Sequence, residues 1–132
     1  MHAPKKEVII PEGGAKPLAP YSPGIRVRPF VYTAGQIGLD PATNKLVEGN
    51  VQTETRQALT NLKAVLEAGG SDLEHVVKTT VFLSNIDDFG AMNDVYAEFF
   101  KADPPARSAI QAGKLPLGAL VEIEAVAVVK GE

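Results

Sequence analysis

Val121-Glu122-Ile123-Glu124-Ala125-Val126-Ala127-Val128-Val129, close to the C-terminus, alternates as a β-strand does. Side chains point to opposite faces in turn, so Val121, Ile123, Ala125, Ala127 and Val129 share one face. Leu120, Glu122, Glu124, Val126 and Val128 share the other. The first face is wholly apolar and must be buried, which predicts helices laid against it. The second sets two carboxylates among apolar neighbours, and a covered carboxylate needs a partner because unpaired buried charge costs on the order of several kcal/mol. The plain alternative is that a Glu faces solvent, its usual place. Glu122 lies deeper in the run than Glu124 and is the stronger candidate for a functional group.

The residue to pair with it is Arg107. Pro104-Pro105-Ala106 gives it a rigid approach, and it opens the short extended run Arg107-Ser108-Ala109-Ile110-Gln111. A guanidinium presents a planar fork matched to a carboxylate, whether that belongs to a side chain or a substrate. Spacing alone does not distinguish it from an ordinary surface arginine.

Working back along the chain, Asn50 is a suitable N-cap for a helix that ends before Gly69-Gly70, with Gly69 suited to the left-handed position after the last turn. Ala58, Leu59, Leu62, Val65 and Leu66 recur at helical spacing as its core stripe, with Glu54, Arg56, Lys63 and Glu67 mostly opposite. Val76 to Leu83 is β-branched and nearly continuous, as in a strand covered on both faces. Asn85 or Asp87 caps a second helix carrying Ile86, Phe89, Met92, Tyr96 and Phe99, which Pro104-Pro105 cannot continue. Phe30 to Ala34 reads as a strand, Asp40 to Asn44 as a turn, and Lys45 to Val47 as a short strand. The Pro- and Gly-rich residues 11–29 read as a shaped loop running into that first strand. Helices alternating with strands favour a mixed sheet with helices on one face, an α/β (α+β) architecture.

The 132 residues predict one domain, 1–132, of ordinary soluble composition, with 45% apolar and 22% charged residues. With 13 Lys+Arg against 16 Asp+Glu the formal charge is −3, which argues against a basic nucleic-acid binder. The chain has no Cys, so thiol nucleophiles, disulfides and zinc–thiolate sites are ruled out. Val8-Ile9-Ile10 is too short for a signal or a span, so the expectation is a soluble, cytoplasmic protein. His2 and His75 lack metal-site spacing, and no phosphate-cradling glycine motif occurs.

Ala19-Pro20-Tyr21-Ser22-Pro23, Thr33-Ala34-Gly35-Gln36-Ile37, Asn93-Asp94-Val95-Tyr96, Pro105-Ala106-Arg107-Ser108 and Glu122-Ile123-Glu124-Ala125 follow one another in order. Together they resemble the RidA family, also called YjgF or L-PSP endoribonuclease-like, over residues 17–129. The resemblance implies a chorismate-mutase-like fold, a mixed sheet with two main helices on one face, and a homotrimer with ligand sites between subunits. It implies hydrolytic deamination of reactive 2-enamine and 2-imino acids, such as 2-iminobutanoate and 2-iminopropanoate, to 2-keto acids and ammonia, with no metal or organic cofactor. Carried onto this sequence, Arg107 holds the substrate carboxylate and Glu122 positions and activates water. Tyr21, Ala34, Gly35, Asn93 and Ala109 line the binding site. Ala34 and Ala109 depart from the Ser and Cys that the archetypal subgroup often has, which bears on substrate preference.

One carboxylate suffices for this chemistry, taking a proton from water and later returning it to the leaving amine. Burial raises the pKa of Glu122, and a nearby Arg107 would lower it. Two other functions are consistent with the family: an endoribonuclease or translation inhibitor, and a non-catalytic metabolite-binding or chaperone-like trimer.

Overall fold

A computed structural model describes residues 4–14, 17 and 19–131. The strands are β1 (Glu7–Ile9), β2 (Gly24–Val27), β3 (Phe30–Thr33), β4 (Leu39–Asp40), β5 (Lys45–Leu46), β6 (Val76–Leu83), β7 (Ala106–Gln111) and β8 (Val121–Val128). The helices are α1 (Val51–Ala68) and α2 (Phe89–Phe99), with short 3-10 turns before β6, α2 and β8.

Six strands form one mixed sheet in the order β1-β2-β3-β8-β6-β7, while β4 and β5 make a separate hairpin. Only β6 and β7 run parallel, and α2 is the crossover that parallel neighbours require. The alternation of β8 is realised as read: Val121, Ile123, Ala125 and Ala127 are buried, Glu122, Val126 and Val128 are partly covered, and Glu124 is exposed. The apolar face packs with α1 and α2 in a core that includes Val31, Leu59, Leu62, Leu66, Val81 and Met92.

Asn50 caps α1 through its side-chain oxygen, which accepts from Gln52 N and Thr53 N. At the other end the left-handed residue is Gly70 (φ 82°), not Gly69 (φ −88°). Gly69 is needed for space instead, since a Cβ there would lie 2.6 Å from Ile9 Cδ1. Glu54 is buried rather than on the outer face, because its carboxylate accepts a 2.8 Å hydrogen bond from Leu120 N at the start of β8.

Other expectations are corrected. The proline-rich stretch contains β2, and β1 precedes it, a three-residue strand too short to show a pattern. Strand β6 is covered on one face only, with Lys78, Thr80 and Phe82 half-open on the other. Ile86 and Phe89 of the second helical stripe stay exposed, while Met92, Val95 and Tyr96 are buried. The open sheet face carries Phe30, Tyr32 and Ile110, all exposed, beside the two glutamates. No helix among the described residues is long and apolar enough to cross a membrane.

Candidate functional site

Glu122 stands on the open face of β8, half-buried over the loop that leaves β3. A side chain at position 35 would collide with the Glu122 carboxyl, its Cβ lying 2.7 Å from Cδ, so Gly35 leaves room for that group. The loop is held there by two backbone hydrogen bonds, Gln36 N to Ile123 O at 2.8 Å and Ile123 N to Gln36 O at 2.9 Å. Thr33 adds its hydroxyl oxygen, accepting from Ala125 N at 3.0 Å. Burial pushes the Glu122 pKa up, and the like charge of Glu124 adds to it. Tyr21 lines the same cavity and Ala34 adjoins Gly35 in the chain, its N–H donating to Pro23 O at 2.9 Å.

Arg107 sits elsewhere. Strand register aligns it with Thr79 and Ala125, which places it on the helix-covered face, at the sheet edge. Its guanidinium donates to Asn93 Oδ1 at 2.8 Å and lies 4.7 Å from the Tyr96 ring centre and 5.3 Å from that of Phe89. Two aromatic rings under a guanidinium hold it flat by cation–π attraction. Among the described residues it makes no ion pair, so its fork remains available to an external carboxylate. Tyr96 is itself pinned by a 2.7 Å hydrogen bond to Thr79. Ala109 lies two residues further along this edge strand, opposite Val81.

The predicted residues therefore form two groups. Tyr21, Ala34, Gly35 and Glu122 belong to one, and Arg107, Asn93 and Ala109 to the other. Glu122 is in register with Phe82 and Ile110, three positions from the Thr79 row that holds Arg107. Three positions is an odd number, so the two side chains leave opposite faces, roughly 10 Å apart along the strands and about as far across them. Arg107 is accordingly not the neighbour that lowers the Glu122 pKa in one copy of the chain. Phe89, expected in the core stripe, is exposed, while Tyr96 is buried in the core as expected, and both also form the platform under Arg107. The signal was present, since Phe89, Asn93 and Tyr96 fall on one face of α2 at i, i+4 and i+7.

His75 pairs with Asp72, Nδ1 to Oδ1 at 2.6 Å, and His2 lies outside the described residues. Among the described residues no group of three or more His, Cys, Asp or Glu is arranged to hold a metal ion.

Comparison with known proteins points one way. The profile of the family described as Endoribonuclease L-PSP matches residues 13–129. A 2-iminobutanoate/2-iminopropanoate deaminase of Capra hircus is 50% identical over 111 residues, 84% of this chain and 81% of that protein. A RutC family protein of Pyrococcus horikoshii is 48% identical over 92% of this chain and 97% of its own. Among solved structures, that of E. coli TdcF with bound serine superposes with a TM-score of 0.88 at 35% identity, covering 92% of this chain and 98% of the other.

Proposed function

Because the chain belongs to the endoribonuclease L-PSP family, also called RidA or YjgF, we propose that it hydrolyses 2-imino acids to 2-keto acids and ammonia. The observation that carries this reading is Glu122: a half-buried carboxyl of raised pKa, placed over a glycine that leaves it room. The deaminase activity named for the goat relative fits that group.

The reaction needs both groups of residues at one substrate, and a three-carbon acid does not span them within one copy. The site is therefore composite, with Arg107 of one copy holding the carboxylate and Glu122 of the next facing the imine carbon. The exposed aromatic and aliphatic residues of the open sheet face are the surface on which copies associate, in the homotrimer that the resemblance implies. Placement in the cytoplasm, suggested by the lack of Cys, belongs to the same proposal.

In the first step the Glu122 carboxylate takes a proton from water as its oxygen bonds to C2 of the iminium, and the C=N pair moves to nitrogen. The carboxylic acid so formed returns the proton to the amine. The C–N bond then breaks, the hydroxyl proton passes by way of Glu122 to the departing ammonia, and ammonium and a 2-keto acid leave, with Glu122 once more a carboxylate. A raised pKa suits a group that must both take and return a proton, work worth roughly 10²–10⁴-fold.

Two variants test both the chemistry and the composite site. Arg107→Ala and Glu122→Gln each abolish ammonia release from freshly generated 2-imino acids while circular dichroism stays unchanged. Unfolded and refolded together in equal amounts, they recover roughly one quarter of wild-type activity, because one site in four draws both intact groups from different copies of a closed ring. Wild-type turnover by either variant alone overturns the assignment of that residue. Absence of any recovery overturns the composite site.

A further inference from the structure

We infer that the cavity behind Glu122 is a side-chain subsite, selecting 2-imino acids whose apolar side chain has about four to six carbons, in line with cavities near 150 Å³ that hold benzene. This deepens the imine-hydrolysis reading and rests on it.

The cavity measures about 180 Å³ and follows the segment that leaves β3, from Glu122 and Gly35 past Ile37 and Leu39 to Ala64 and Val65 of α1. A 2-imino acid has a planar C2 with three substituents. If Arg107 of a neighbouring copy takes the carboxylate and Glu122 faces the attacked carbon and its nitrogen, the third substituent is left to enter this space. A methyl group would leave most of it without contacts, and atoms facing a void lose their dispersion partners.

The chemistry of the wall says what fits. Ile37, Leu39, Ala64 and Val65 are aliphatic. Glu12, Tyr21 and Gln36 line another part of the cavity, but the polar residues of α1 beside the aliphatic ones are bonded within the protein: Asn61 Nδ2 donates to Leu39 O at 2.8 Å and to Ile37 O at 3.1 Å, and Asn61 Oδ1 accepts from Gln57 Nε2 at 2.9 Å. The Thr60 hydroxyl donates to Arg56 O at 2.8 Å. Asn61 thus ties the cavity floor to the loop that carries Ile37 and Leu39, and it offers a ligand little free hydrogen-bonding capacity. A hydrocarbon side chain is the match for this stretch of the wall.

The experiment uses the full chain with 2-imino acids made in place by an L-amino-acid oxidase from alanine, norvaline and leucine, reading kcat/KM for each. One methylene accommodated or excluded by such a pocket is worth roughly tenfold or more. The leucine-derived imine is expected to exceed the alanine-derived one by at least that factor in the wild type. Ala64→Phe fills the cavity, and Thr60→Phe, at an exposed position that folding tolerates, narrows it. Both are expected to lower the leucine-to-alanine ratio roughly tenfold, whereas Lys63→Phe, exposed and absent from the cavity wall, leaves the ratio where it was. Hydrolysis of the alanine-derived imine with a ratio near one, or a ratio unmoved by both filling variants, overturns the subsite and leaves the imine reading standing. Failure of the wild type to accelerate any of the three overturns both.

Discussion

The Arg107 guanidinium and the Asn93 carboxamide are joined by a 2.8 Å hydrogen bond between the edge strand β7 and α2. The Tyr96 and Phe89 rings lie under the same guanidinium, so Asn93 fixes its rotation where the rings fix its tilt. A clamp for a planar carboxylate works only when both are set. Asn93→Ala is expected to raise KM for a 2-imino acid about tenfold with a smaller effect on kcat, the size of one hydrogen bond to a charged group. Arg107→Lys is expected to lose more, because an ammonium cannot form two parallel bonds. Steady-state kinetics on the two variants check both statements.

Gly35 is a position where space, not backbone conformation, demands glycine. Gly35→Ala puts a methyl group against the Glu122 carboxyl and displaces it, and a shift of about 1 Å at a reacting group costs roughly 10²-fold in rate. The variant is expected to fold, since the collision is with the end of a side chain that can swing away. Its circular dichroism should match wild type while kcat falls by about that factor.

How far the sequence carries the fold depends on how local the signal is. The β8 alternation and the Asn50-capped α1 are readable because each needs only its own residues. The separation of Arg107 from Glu122 is not readable, since it follows from the register of β6 with β7 and β8, and a slip of one residue would move a side chain to the other face. Glu54 reads as an outer-face residue for a related reason: its partner, Leu120 N, lies 66 positions away. The aromatic platform under Arg107 had a helical spacing, but an apolar stripe reads as core until a cation is seen above it. Strand β6 reads as doubly covered because its run from Val76 to Leu83 is nearly continuous in β-branched and apolar residues, which hides the alternation that leaves Lys78, Thr80 and Phe82 on the open face.

Glu124 offers a handle on the Glu122 pKa. It is exposed, shares the face of Glu122, and its negative charge opposes ionisation of the neighbour. In the proposed reaction Glu122 acts as a base, so kcat/KM is expected to fall as pH drops through its raised pKa. Removing the adjacent charge in Glu124→Gln lowers that pKa, and the acid limb of the profile is expected to move to lower pH. A limb that stays in place, or moves up, would show that another group controls it.

Glu54 gives a stability test independent of catalysis. It is buried, accepts the Leu120 N–H, and burial pushes its pKa above the ordinary 4.5, with the negative charge of Asp88 acting in the same direction. Between 4.5 and that higher value the folded protein holds a proton that the unfolded chain has released. The stability this contributes is fully present below 4.5 and is lost as pH rises through the folded-state value. Glu54→Gln keeps an oxygen for Leu120 N–H and removes the buried charge. It is expected to melt at a higher temperature than wild type at pH 8, with the difference shrinking toward pH 4. Glu54→Ala leaves that amide without its acceptor and should destabilise by about 1–3 kcal/mol, or several degrees, at both pH values. Thermal denaturation of the three proteins across this range separates the two effects, because only the charge depends on pH. A glutamine variant less stable than wild type at pH 8 would mean that the carboxylate has a cationic partner in the assembled protein.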